Sequence, residues 1–105
     1  MYTRQVTMKL RANAEAEFTR IIKDEIVPLL VQQRGFRDRT TSIALARSEA
    51  VDSSFWDTKE DAETYHRTVY PQVLKALSKV VEGKPKVQTF EVFDSTFYKT
   101  AAKTN

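Results

Sequence analysis

From Tyr2 to Leu10 the chain alternates: Tyr2, Val6, Met8 and Leu10 share one face with Arg4, while Thr3, Gln5, Thr7 and Lys9 share the other. A period of two marks a half-buried strand, so the first element lays one face on a core and carries a charged residue into it. The period then changes. Phe18, Ile21, Ile22, Ile26, Leu29 and Leu30 recur at helical spacing, with Asn13 placed as N-cap and Glu15 and Glu17 in the positively polarised first turn. Gly35 is the expected helix stop, and Pro28 inside the helix deletes one backbone hydrogen bond and bends it.

Residues 36–47 return to alternation through Thr41, Ile43 and Leu45. Residues 50–56 follow as a third strand, Val51, Ser53 and Phe55 opposing Asp52, Ser54 and Trp56. The short polar stretch Arg47-Ser48-Glu49 makes the two a hairpin. Thr58 with Asp61 three residues on is a variant capping box. It opens a long helix expected to run to Val81 or Glu82, ended by Gly83 and Pro85. A fourth strand is expected over residues 86–93, and 94–99 is a further short β-prone stretch before a polar tail. The order β-α-β-β-α-β defines an α+β, ferredoxin-like domain: a four-stranded antiparallel sheet with two helices on one face. The sequence contains no internal repeat or linker, so residues 1–105 are expected to be a single domain with 94–105 as a C-terminal extension. Nothing in the chain is left to cover the second sheet face, which carries Phe, Val and Thr. A second copy is the expected partner, with residues 94–99 packed against it.

Composition removes several function classes. The chain has no cysteine and one histidine, so it has no thiolate nucleophile, disulfide or iron–sulfur cluster, and no two-histidine metal site. No apolar run approaches the roughly 20 residues of a membrane span, and the N-terminus lacks a signal-peptide core, so a cytoplasmic location is expected. The net charge of +3 is scattered over Arg34, Arg37, Arg39, Lys84, Lys86, Lys99 and Lys103, with acidic residues between. That is a solvated surface, not a nucleic-acid footprint. RNA-binding domains share the element order but need exposed aromatics in a basic, glycine-containing third strand, a pattern absent from Glu49–Trp56.

The stretch Phe55-Trp56-Asp57-Thr58-Lys59-Glu60-Asp61-Ala62-Glu63-Thr64-Tyr65 resembles the strand-three-to-helix-two signature of the antibiotic biosynthesis monooxygenase (ABM) domain family, and the likeness continues through Val87-Gln88-Thr89-Phe90-Glu91-Val92. It covers the element order of the domain and sequence detail from about residue 55 to 98. The resemblance implies a dimeric α/β barrel with a small pocket between sheet and helices in each subunit. It also implies no cofactor: relatives include cofactor-independent oxygenases of quinols and polyphenols, haem-degrading enzymes and isomerases, besides members without known activity. Haem-degrading members carry Trp and His on helix two and Asn on strand one. Those helix positions fall here on Tyr65 and Lys75, and strand one has no Asn, which argues against haem degradation. Many quinol-type members place His where this chain has Tyr65, one residue before His66.

Helical geometry places His66 in the stripe of Ala62, Val69, Val73, Leu77 and Val80. Two roles fit that position: a core histidine satisfied by a carbonyl or hydroxyl, or a pocket base or hydrogen-bond donor that would be the catalytic residue. Glu25 falls within the arc of Phe18, Ile22, Ile26 and Leu29, and either turns outward at Pro28 or joins Arg4 and His66 in a buried polar cluster. Trp56, Tyr65 and Tyr70 serve either as packing or as the walls of a slot for a flat aromatic ligand. The competing functions are a cofactor-independent monooxygenase acting on a quinol or phenol, and a non-catalytic ligand-binding or structural homodimer.

Overall fold

The computed structural model describes residues 1–97. Its elements are β1 (Tyr2–Leu10), α1 (Glu15–Ile21), a π-helical turn (Ile22–Ile26), α2 (Val27–Leu30), β2 (Phe36–Ala44), a 3-10 turn (Leu45–Arg47), β3 (Glu49–Trp56), α3 (Lys59–Thr68), α4 (Tyr70–Leu77) and β4 (Val81–Glu91). The four strands form one antiparallel sheet in the order β2-β3-β1-β4, the ferredoxin-like arrangement. The alternation of β1 holds: Tyr2, Arg4, Val6, Met8 and Leu10 are all buried beneath the helices. Around them pack Phe18, Ile21, Ile26 and Leu30 from the first helical arm and Ala62, Tyr65, Val73 and Leu77 from the second.

Six local expectations are corrected. Asn13 is not the N-cap. It occupies the left-handed region (φ 58) of a turn closed by the Ala14 N–H donating to the Arg11 carbonyl, and Ala14 is the cap residue. The first helix ends at Leu30 instead of running to Gly35, and its bend is the π turn just before Pro28. There the Val27 N–H reaches back to the Ile22 carbonyl, five residues instead of four. The third correction is in β2, which stops at Ala44. Leu45 enters the 3-10 turn and stands 72% exposed.

The second helix is broken. α3 ends at Thr68, and α4 restarts with Pro71 in its first turn, where the missing N–H and the ring prevent an unbroken ladder. Gly83 and Pro85 do not stop that helix either. They lie in β4, opposite Met8, where the pairing jumps from Lys9↔Glu82 to Thr7↔Lys86 in a bulge and Gly83 takes φ +72. Asp94–Phe97 form no strand, and the rest of the expected 94–99 stretch lies outside the described residues. Thr58 does cap α3, its Oγ1 accepting from the Asp61 N–H at 3.1 Å. Gly35 has φ +79, and a Cβ there would collide with the Asp61 side chain, so this glycine lets the start of α3 settle against the end of the first arm.

Candidate functional site

β1 delivers Arg4 to the interior with 3% of its surface exposed. Two elements close over it. Tyr65 from α3 and Tyr70 from α4 present their rings to the guanidinium, whose Cζ lies 5.2 Å and 4.1 Å from the ring centroids. These are cation–π distances. Arg4 Nη2 donates to His66 Nδ1 at 2.8 Å, and the His66 ring stacks on Tyr70 with centroids 5.2 Å apart. Behind this group, Tyr65 packs on Trp56 at 5.0 Å, and the buried Trp56 Nε1–H donates to Ser54 Oγ at 2.9 Å.

The pairing fixes the chemistry of the histidine. A guanidinium can only donate, so Nδ1 is the acceptor, the ring is neutral, and Nε2 carries the proton. Partial burial and then the Arg4 charge both hold the His66 pKa below its ordinary value. Burial likewise lowers Arg4, opposed by the two tyrosines and Asp52, and an arginine remains cationic under that load. Burial pushes the Tyr65 and Tyr70 phenols upward, so both stay neutral, and the Tyr70 oxygen accepts from Arg4.

Arg4 and His66 face an open cleft of about 620 Å³ between α3 and the β1–β4 edge. Tyr2, Arg4, Val87 and Thr89 form its floor; Ala62, Glu63, His66 and Arg67 form its wall. The volume lies in the usual range for small-ligand sites. The structure therefore brings Arg4, His66, Tyr65 and Tyr70 together. It does not bring Trp56, Tyr65 or Tyr70 to the cleft: all three are core residues, and no aromatic slot opens between them. His66 is exposed at the cleft wall and not in the middle of the apolar stripe: α3 turns Ala62 and Tyr65 inward, and beyond the break at Val69 the stripe continues with Tyr70 and Val73, out of phase with His66. Glu25 faces solvent beside Arg20 at 3.5 Å, turned outward by the π turn, and takes no part in the cluster. Sequence reasoning missed Asp52, Tyr2 and Thr89. Tyr2 was legible as Arg4's neighbour on the same strand face, and Thr89 becomes visible only once the register pairs it with Arg4. Among the described residues no cluster of histidine and carboxylate side chains could hold a metal ion, and no helix is long and apolar enough to cross a membrane.

The fold and this cleft together define a ferredoxin-like α+β protein with an open cleft between its second helical arm and its sheet. Solved structures share that architecture. A "putative antibiotic biosynthesis monooxygenase" from Deinococcus radiodurans superposes with a TM-score of 0.74 at 18% identity, covering 90% of this chain and 95% of its own. The monooxygenase from the gene ActVA-Orf6 of Streptomyces coelicolor, in complex with nanaomycin D, gives 0.75 at 14%, covering 90% and 88%. SnoaB, a cofactor-independent oxygenase from Streptomyces nogalater, gives 0.74 at 14%, covering 90% and 95%. At these identities the likeness establishes a common fold. No family model matches the chain, and no curated protein matches it.

Proposed function

We propose that this protein is a cofactor-independent oxygenase that binds a small phenol or quinol as its phenolate in the Arg4–His66 cleft. The observation that carries this reading is the Arg4 Nη2–His66 Nδ1 contact at the cleft wall. It holds a neutral histidine with its Nε2–H on the opposite ring edge, polarised by a buried cation, and such a donor stabilises an oxyanion. With Nδ1 taken by Arg4, the donor role is the better assignment for His66, and the substrate proton leaves through the open cleft to solvent. The electron-rich phenolate then passes one electron to O₂. Carbon–oxygen bond formation at a free para position follows, and the O–O bond breaks with loss of water. Phenol plus O₂ gives quinone plus H₂O, the four electrons leaving the substrate being those that reduce O₂. The ligand nanaomycin D in the Streptomyces coelicolor monooxygenase supports a small-molecule ligand for a protein of this fold.

The same reading has the protein act as a homodimer, its helix-free sheet face packed on a second copy. Register places Phe55 and Phe90 on either side of Thr3 on that face, and Phe93 and Phe97 beyond β4 are 94% and 90% exposed. Single apolar side chains on a surface are ordinary, but two phenylalanines flanking Thr3 on one face, with two more exposed just after β4, fit a partner. Light scattering coupled to gel filtration should give twice the chain mass, and a stable monomer at micromolar concentration refutes the dimer.

Oxygen uptake with a panel of phenols and quinols tests the chemistry. His66→Ala and Arg4→Met should each lower turnover by about 10²–10³-fold in a folded protein. Tyr65→Phe should retain it, because the Tyr65 phenol does not line the cleft. Loss in Tyr65→Phe with full activity in His66→Ala would move the site one residue along α3. A wild type that binds phenols without consuming oxygen is a ligand-binding protein instead.

A further inference from the structure

We infer that Asp52 is the counter-ion of Arg4 through a single buried water, which makes Asp52 the positioning residue of the cleft. Three observations converge. Arg4 Nε is buried and, among the described residues, finds no hydrogen-bond acceptor. A small cavity of about 20 Å³, the size that takes one water, is lined by Arg4, Asp52, Tyr65 and Tyr70 among apolar neighbours. Register makes Asp52 the diagonal cross-strand neighbour of Arg4, since Arg4 pairs with Ser54 and Val6 with Asp52. Diagonal Cβ atoms stand about 7–8 Å apart, a span that one water fills between a guanidinium and a short carboxylate.

The carboxylate is already oriented for this. Thr41 Oγ1 donates to Asp52 Oδ1 at 2.7 Å and Arg39 Nη2 approaches the same oxygen at 3.4 Å. Asp52 thus sits between two arginines, bound directly to one and by water to the other. A buried N–H left without an acceptor carries its full desolvation penalty, and a water with polar partners removes it. Held by Asp52 on one side and by His66 on the other, the guanidinium cannot swing out of the tyrosine pair. The water and the counter-ion role stand apart from any activity, while their effect on turnover rests on the oxygenase reading.

The test is the Arg4 Nε–H resonance. In the wild type it should exchange with solvent at least tenfold more slowly than that of Arg67 and show a cross-peak to a long-lived water. Asp52→Leu should abolish that protection. Asp52→Asn, which keeps an acceptor oxygen, should retain the water but remove the charge. Thr41→Val should keep both. The groups packed around Arg4 are Asp52 of β3, Tyr65 and His66 of α3 and Tyr70 of α4. Losing the one anion among them should shift the His66 titration further downward in Asp52→Asn. Fast wild-type exchange, or protection that survives Asp52→Leu, overturns the inference whatever the oxygen-uptake assay gives. If the protection behaves as expected and no phenol is oxidised, the oxygenase reading alone falls.

Discussion

Arg4 and Arg39 occupy the same row of the sheet, on either side of Ser54, and both keep a buried Nε without an acceptor among the described residues. They are otherwise treated differently. Arg39, on the edge strand β2, meets the Asp52 carboxylate directly and also donates to Thr41. Arg4, on the central strand β1, has no carboxylate in direct contact among the described residues. Its partners are two tyrosine rings and a neutral histidine that opens on the cleft. The difference separates two uses of a buried charge. Arg39 is neutralised by direct contact, as a structural ion pair is; Arg4, with Asp52 a water away, keeps part of its field, and that part opens on the cleft.

The comparison breaks most readily by replacing each arginine with methionine, which keeps the stem and removes the charge. Arg4→Met should cost about 10²–10³-fold in turnover, with unfolding free energy in urea within about 1 kcal/mol of wild type, because no directly bonded carboxylate is stranded. Arg39→Met should do the reverse, losing about 1.5–3 kcal/mol for a charged hydrogen bond and leaving turnover within a few-fold. Equal effects from the two would mean that the row is one structural network and the contrast is false.

A smaller effect is expected between them. Ser54 accepts the Trp56 Nε1–H, so Ser54→Ala strands a buried donor and should cost about 1–2 kcal/mol in the same urea experiment. Arg4 and Arg39 should be untouched by it, which the Arg4 Nε–H resonance would report. A neutral Ser54→Ala would show that the indole finds another acceptor.

The row was half legible beforehand. Arg4 could be read directly, because a strict period of two from Tyr2 to Leu10 leaves it no other face. The element order and the Thr58 cap followed from equally local signals. His66 and Glu25 required helical phase to persist over many residues, and each arm contains an interruption: the π turn before Pro28 in one, the restart at Pro71 in the other. One such step changes the phase between the two sides of it, so Glu25 in the π turn faces solvent, and the phase set by Val73 and Leu77 beyond the break does not hold for α3, where Tyr65 and not His66 points inward. Gly83 misled for a related reason. A left-handed glycine after a helix and one in a β-bulge have the same backbone angle and differ only in pairing, which no local window contains. Asp52 depended wholly on register, and a carboxylate in a strand of Ser and Val gives no sign of the two arginines it faces.

The least effect is the one that tests the Arg4 side of the contrast most directly. His66 is the only histidine, so its titration by NMR is unambiguous. Its native pKa lies below the ordinary 6.5 because of burial first and the Arg4 charge second. With the folded value depressed, the unfolded chain takes up the proton first as pH falls. The contribution of His66 to stability is therefore whole above about pH 6.5, is eroded as pH drops from there through the native pKa, and is constant below it. His66→Gln should remove that slope, and Arg4→Met should bring the midpoint back up, since one of its two causes is gone. A wild-type midpoint at or above 6.5 would mean that Nδ1 is not held by Arg4 in solution. Arg4 would then have no more claim on the cleft than Arg39 has.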